Sequence, residues 1–347
     1  MRKIAYIELD THAEIASNFM QLAKQSSKFQ TDYFFSEKIL KQLEISTSDN
    51  VFVSSPKTIL NQLEWKNYDF IIVGTVHRFF NVFEQIISKN KSAIIVHNIN
   101  FSKANKSTLF FNIFKNDFAY RLKLLLKESL FSVSKIHKKT NVKFVLDQNL
   151  VSSGFRFLPL FFTEKFESEK QSNTEILNVV IPGTVSQKRR DYNRVLEILK
   201  TLKSSISITF LGKAEADELQ KIKNVVSKNS ENISIKYFTE KVPKSVFNKI
   251  MQEADVVWCP IHQETDFFSV KEFYGKTKMS GNIGDAIHFG KPALMPHFYS
   301  EKYDFAIDES NFVDILEGKN EIKNSDFSLY GFSKILADFE KVLEEIS

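Results

Sequence analysis

Cysteine, proline and glycine are all scarce in this chain: one, seven and ten of 347 residues. The lone Cys259 sits inside the apolar run ADVVWCPI, which excludes a disulfide framework and points to a reducing compartment, the cytoplasm. No apolar run approaches the ~18 residues that span a bilayer. The opening MRKIAYIELD reads as a strand with a charged end, not a signal peptide. No His, Cys and Glu set has zinc-ligand spacing, so no metal is expected. No Gly-x-Gly-x-x-Gly follows the first strand, which argues against a dinucleotide dehydrogenase. Charge is nearly balanced, with 47 Lys and Arg against 42 Asp and Glu and a net charge of +5. With no recognition motif beside the basic residues, polymeric nucleic acid is a poor partner.

What is present is alternation. At this length the chain exceeds one core and divides into two domains. Hydrophobic residues make up 43% of it and charged ones 26%, the balance of an ordinary globular protein, and the 34 Phe look like coding bias. Short apolar runs alternate with helical patterns: KIAYIEL (3–9), DFIIVG (69–74), SAIIVH (92–97), KFVLD (143–147) and GFRFLPLFF (154–162) are read as strands. Ile15, Phe19 and Leu22 fall on one face of the first helix. A polar stretch without periodicity, 164–175, reads as a linker. The pattern then restarts with LNVVIPG (177–183), a helix with Val195, Ile198, Leu199 and Leu202 in line, SITFLG (207–212), ISIKYF (233–238), ADVVWCPI (254–261) and PALMP (292–296). The fold class is α/β: two doubly wound, Rossmann-like domains with parallel sheets facing an interdomain cleft. The expected boundaries are 1–163 and 176–330, with a C-terminal helix over 331–347 packing back on the first domain.

Ligands in such sheets bind beyond the carboxyl ends of the strands. The strand-end residues are Asp10, His12, Gly74, His77, His97, Asn98, Gly183 with Arg189 and Arg190, and Gly212 with Lys213. Glycine and proline crowd into SGNIGDAIHFGKPALMP (280–296), which reads as turn, short helix, glycine stop and buried strand. Ser280 or Asn282 caps the helix, and Asp285 is expected in its first turn. A helix start of this kind binds phosphates, whereas an ordinary capped helix with an acid favoured by the dipole would look the same locally.

The order IPGTVSQKRRDY, ITFLGKAE, ADVVWCPI, SGNIGDAIHFGKPALMP resembles the donor-binding domain of GT-B glycosyltransferases, chiefly the retaining family-4 type. The match extends over roughly 120 residues of the second half, and AIIVHN (93–98) in the first half is similar to a family motif whose His faces the transferred sugar. The resemblance implies a nucleotide-sugar donor held by the second domain. Gly183, Thr184, Arg189 and Arg190 would lie at its diphosphate, with the backbone of Ser280, Gly281 and Asn282 cradling phosphate and Asp285 on the ribose hydroxyls. The first domain then binds a saccharide or lipid-linked glycan acceptor, of the kind used in bacterial surface polysaccharide synthesis, and no cofactor or obligatory metal is required. Two departures stand out. Thr184 occupies the place where the family has Arg, and the basic pair Arg189-Arg190 falls at the later position. The family's paired acidic residues, with seven residues between them, match Glu264 and Glu272 in spacing, but Glu272 is followed by FYGKTKM. Aligned on DAIHFGKP, the second acid is Asp285 and the first falls on Thr277.

Catalysis on this reading rests on Arg190 at the departing diphosphate, with His97 at the transferred sugar and His12 as acceptor-side base, a job Asp10 or His77 could share. A solvated KRRD turn and structural histidines are the competing readings. The segment 101–139 holds nine Lys and Arg against Asp117 and Glu128, and Leu122, Leu125, Leu126 and Val133 are expected on one helical face. It reads as a docking surface for the inner face of an anionic membrane or as a core helix with a basic exterior. A nucleotide-sugar 2-epimerase of the same fold and a non-catalytic two-domain binding protein are the rival functions.

Overall fold

A computed structural model describes residues 1–164, 176–202, 204–214, 216–227, 233–316 and 325–346. The expected linker falls almost wholly on 165–175, outside the described residues. Seven strands form the first sheet: β1 Arg2–Glu8, β2 Phe29–Phe35, β3 Val51–Val53, β4 Phe70–Val73, β5 Ser92–Ile95, β6 Val142–Val145 and β7 Arg156–Phe157. Their order is β3-β2-β1-β4-β5-β6-β7, and every pair is parallel. The second sheet contains β8 Leu177–Pro182, β9 Ile206–Lys213, β10 Ile233–Phe238, β11 Val256–Trp258, β14 Ala293–Met295 and β15 Ala306–Asp308. Its order is β10-β9-β8-β11-β14-β15, again all parallel. Between β11 and β14 the chain makes a small hairpin, β12 Glu264–Phe267 and β13 Val270–Phe273.

The chain divides into two compact units. The first comprises Met1–Leu160, Asp266–Met279 and Ser333–Ser347; the second comprises Phe161–Thr265 and Ser280–Phe332. The hairpin, which sequence reading left inside the second half, thus belongs mostly to the first unit. The helix Phe332–Glu344 lies against the first unit: Ser26 Oγ donates to Glu340 Oε1 at 2.5 Å, and Phe339 meets the edge of Phe19 at 5.2 Å.

The physical cause of the strands is burial on both faces. Ile4 to Glu8 is buried without interruption, as are Phe70–Val73 and Ser92–Ile95, which is why these runs do not alternate with polar residues. The helix Ala13–Gln25 turns Ile15, Ala16, Phe19, Leu22 and Ala23 inward, the face its periodicity predicts. In the second unit Val195, Leu196 and Leu199 of the helix Tyr192–Thr201 join Ile181, Ile208 and Trp258 in the core. Each such side chain contributes about 1.5–3 kcal/mol on burial. The expected strand 154–162 shrinks to Arg156–Phe157. The Leu158 N–H still donates to Val145 O at 2.9 Å, but Pro159 has no N–H to continue the ladder, and Leu158 and Leu160 are both buried. No helix among the described residues is long and apolar enough to cross a membrane.

Candidate functional site

In the second unit the residues following β8 and those opening the helix Gly281–Phe289 come together. Gly183 directly follows β8 at φ +99°, a backbone conformation that favours glycine. A Cβ on Gly183 would lie 2.5 Å from Arg190 Nη2, and one on Gly212 would lie 2.2 Å from the Gly183 carbonyl oxygen. Both positions must therefore be bare for β8 and β9 to end side by side with the arginine across them. The segment after Gly183 is tied to the end of β11: Asp191 N–H donates to Pro260 O at 2.7 Å, and His262 Nε2 lies 2.7 Å from Gln187 O. Asp191 then caps the next helix by accepting from Arg194 N–H.

This scaffold aims the Arg190 side chain back over the strand end. Its Nη1 donates to Thr184 O at 3.1 Å, while Nε and Nη2 donate to Asn282 Oδ1 at 3.4 and 3.2 Å. Both acceptors are neutral, so these bonds orient the guanidinium without cancelling its charge. Asn282 Nδ2 in turn donates to Pro182 O at 3.1 Å and to Asp285 Oδ2 at 3.3 Å. Gly183, Thr184, Arg190, Asn282 and Asp285 thus form one connected group, while Arg189 is exposed and stands apart from it.

Three details of the expected helix start are corrected. The helix begins at Gly281, so Asp285 is its fifth residue and no acid lies in the first turn. Ser280 is the N-cap but makes no side-chain cap, and Asn282, one residue inside the helix, spends its side chain on Arg190 and Asp285 instead. The Ser280 N–H is taken by the Tyr299 hydroxyl at 3.2 Å. The Gly281 and Asn282 N–H groups have no partner among the described residues, and a Cβ on Gly281 would meet nothing within 4 Å. Two free donors at the positive end of a helix, with a bare approach and an arginine beside them, suit an anion.

The first unit holds a second cluster, at the carboxyl ends of β1, β4 and β5, where the strand order reverses between β1 and β4. His12, which enters the first helix at φ 63°, stacks on His97 with ring centroids 3.9 Å apart and planes 8° from parallel. His77 lies edge-on to both, at 5.8 and 5.9 Å. The hydrogen bonds define two tautomers. Lys278 Nζ donates to Asn98 Oδ1 at 2.6 Å, so the Asn98 amide nitrogen faces His77 Nε2 at 3.0 Å and that ring nitrogen accepts. His97 Nε2 lies 3.0 Å from Gly74 O and therefore carries the proton, which leaves Nδ1 as the basic nitrogen. Burial, reinforced by the neighbouring His12 and Lys278, holds His77 and His97 well below the usual imidazole range. Both are neutral at neutral pH. His12 Nδ1 pairs with Glu14 at 2.9 Å, and Asp10 pairs with Lys38 at 3.4 Å.

Sequence reading missed Glu8, the last residue of β1. Its carboxyl is buried and accepts the Asp10 and Thr11 N–H groups at 3.2 and 3.3 Å. Burial, only partly offset by hydrogen bonds, pushes it up to about 8. Gly74 makes room for it: a Cβ there would fall 2.6 Å from Glu8 Oε2 and from the Tyr6 hydroxyl. A carboxylate inside the apolar run IAYIEL was the available signal. Lys278 was also missed, because its part comes from a segment that returns to the first unit. Glu272, set aside on sequence grounds as a nucleotide ligand, is buried in that same segment and accepts the N–H groups of Asn100 and Phe101 at 3.2 and 2.8 Å. No group of three or more His, Cys, Asp or Glu among the described residues could hold a metal ion.

At the level of sequence, no family model and no curated protein matches this chain. Solved structures do match in fold. Anabaena Alr3699/HepE in complex with UDP and glucose superposes with a TM-score of 0.57 at 11% identity, covering 99% of this chain and 100% of that one. UDP-GlcNAc 2-epimerase from Neisseria meningitidis, bound to UDP-GlcNAc, gives 0.54 at 11% identity over 99% and 100%. The MnaA–UDP structure from S. aureus gives 0.52 at 11% over 100% and 98%. At such identities the likeness is one of architecture: two Rossmann-like units with parallel sheets of seven and six strands, the GT-B fold.

Proposed function

We propose that this protein is a nucleotide-sugar-dependent glycosyltransferase, passing a sugar from a nucleoside diphosphate donor to a saccharide or lipid-linked glycan in the cytoplasm. The observation that carries the reading is the Arg190 guanidinium, held by the neutral Thr184 carbonyl and Asn282 amide beside the open start of the helix Gly281–Phe289. The diphosphate lies against Arg190 and the Gly281 and Asn282 N–H groups, and Asp285 accepts from ribose hydroxyls. As the glycosidic bond to the leaving phosphate breaks, negative charge grows on the diphosphate, and a pre-oriented arginine stabilises that charge more than it stabilises bound donor. This role needs no obligatory metal. In the first unit His97, with Nδ1 basic, faces the transferred sugar, and His12 takes the acceptor hydroxyl proton. Retention at the anomeric carbon follows from the family-4 resemblance.

A second reading, a nucleotide-sugar 2-epimerase, is favoured by one observation. Three histidines and the raised carboxyl of Glu8 supply more proton-transfer groups than a simple transferase requires. Incubation with nucleotide sugars, with and without saccharide acceptors, separates the readings. A transferase releases nucleoside diphosphate in proportion to acceptor glycosylated, and retains activity in chelator. An epimerase yields the C2 epimer without acceptor. Neither product in any combination would leave a binding protein and defeat both enzymatic readings.

A further inference from the structure

The helices Lys106–Ile113 and Phe118–Glu128 of the first unit leave large apolar side chains in solvent. Phe111, Phe114 and Leu126 are 66%, 61% and 73% exposed, and Phe110, Phe118 and Tyr120 are close to half exposed. The four phenylalanines are continuous, since Phe110 meets the edges of Phe111 and Phe114 at 5.8 and 5.5 Å and Phe114 stacks on Phe118 at 5.6 Å. It is not the face expected from the sequence. Leu122 and Leu125 pack against the core, Val133 is buried on the separate helix Val133–Lys139, and Leu126 points out between Lys123 and Lys127. The buried residues of Phe118–Glu128 are instead Arg121, Leu124 and Glu128, because the two charged ones find partners inside. Arg121 donates to Asn112 O and to Ser269 Oγ, and Glu128 accepts from Arg78 at 2.6 Å and from Phe79 N–H at 2.8 Å.

On these two helices and the turn between them Lys106, Lys115, Lys123 and Lys127 are all exposed. With Glu128 buried on Arg78, Asp117 is the single exposed carboxylate from Phe101 to Lys139. We propose that this face docks on an anionic lipid bilayer, its phenylalanine rings entering the headgroup region while the lysines meet lipid phosphates. Aromatic rings and basic side chains on one surface suit the two layers of a bilayer interface. A second copy of the chain fits poorly, because face-to-face pairing would set lysines against lysines around the apolar contact. The inference does not depend on the nucleotide chemistry, and its failure would leave that proposal standing.

Co-sedimentation of the full chain with vesicles tests it, using phosphatidylcholine alone and phosphatidylcholine mixed with phosphatidylglycerol. The protein should pellet with the mixed vesicles only, and added salt should release part of it. Lys123→Gln and Lys127→Gln should each weaken partitioning about fivefold, and the double change Phe111→Ser with Phe114→Ser by about tenfold or more. Trp65→Ser, which removes an exposed apolar residue elsewhere on the same unit, should change nothing. Should the serine variants fold poorly, Phe111→Trp supplies a second readout: its added emission should shift blue with the mixed vesicles. Equal recovery with both vesicle types, no recovery with either, or an unchanged emission would overturn the proposal. So would a concentration-dependent dimer, lost on Phe111→Ser, without vesicle binding.

Discussion

Glu8 and Arg190 show two opposite treatments of an ionisable side chain. Arg190 has neutral partners that leave its charge uncancelled, whereas burial raises the Glu8 pKa from 4.5 to about 8. A carboxyl whose folded pKa exceeds its unfolded value binds more protons in the folded state between the two. Its stabilising contribution is therefore complete below pH 4.5 and is lost as pH rises toward about 8. Glu8→Gln, which cannot ionise, should remove this decline. Wild type should lose roughly 3–5 kcal/mol relative to the variant across that window. Urea unfolding of both proteins at several pH values would read it, and parallel pH profiles would contradict the assignment. Arg190→Ala should weaken nucleoside diphosphate binding about tenfold and lower turnover by considerably more, since its partner charge grows as the bond breaks. Steady-state kinetics resolves the two effects.

Elements rather than residues explain why some features were legible in the sequence and others were not. The strands and the helix Ala13–Gln25 were readable because continuous burial and 3.6-residue spacing leave direct traces. Placing His12, His77 and His97 at strand ends brought all three into one cluster, since parallel strands deliver their carboxyl ends to the same edge. Asp285 was put one turn too early because the cap could not be chosen between Ser280 and Asn282, and the choice depends on Arg190, over 90 residues away in sequence. The apolar face expected within 101–139 was misplaced for a related reason. Arg121 and Glu128 look like exterior residues until partners at Ser269 and Arg78 draw them in. Glycine at an element's end makes a testable claim. Gly212→Ala would drive a methyl group to 2.2 Å from the Gly183 carbonyl, so β8 and β9 must part. The expected cost is about 2–4 kcal/mol, read by thermal unfolding, together with loss of nucleotide binding. Glu272→Gln should act at the other unit. Losing charge-assisted bonds to Asn100 and Phe101 should cost about 1–3 kcal/mol of stability while nucleotide affinity stays at the wild-type level.

The whole molecule comprises two Rossmann-like units, with Arg190 beside an open helix start at a strand end in one and a cluster of three histidines at strand ends in the other. The fold was legible because the same alternation begins, breaks off and begins again along the chain. The excursion of Asp266–Met279 into the first unit was not legible, since nothing local distinguishes β12 and β13 from an ordinary surface hairpin. The central claim is that the second unit holds a nucleoside diphosphate through Arg190, the start of the helix Gly281–Phe289 and Asp285. Calorimetric titration of UDP into wild type and Asp285→Ala, with the melting temperature of each, tests it most directly. The account predicts binding by wild type and a loss of about ten- to a hundredfold in the variant, whose ribose partner is gone. Equal affinity in the two proteins, with only a lowered melting temperature for Asp285→Ala, would contradict it and reduce Asp285 to a residue that stabilises its own helix.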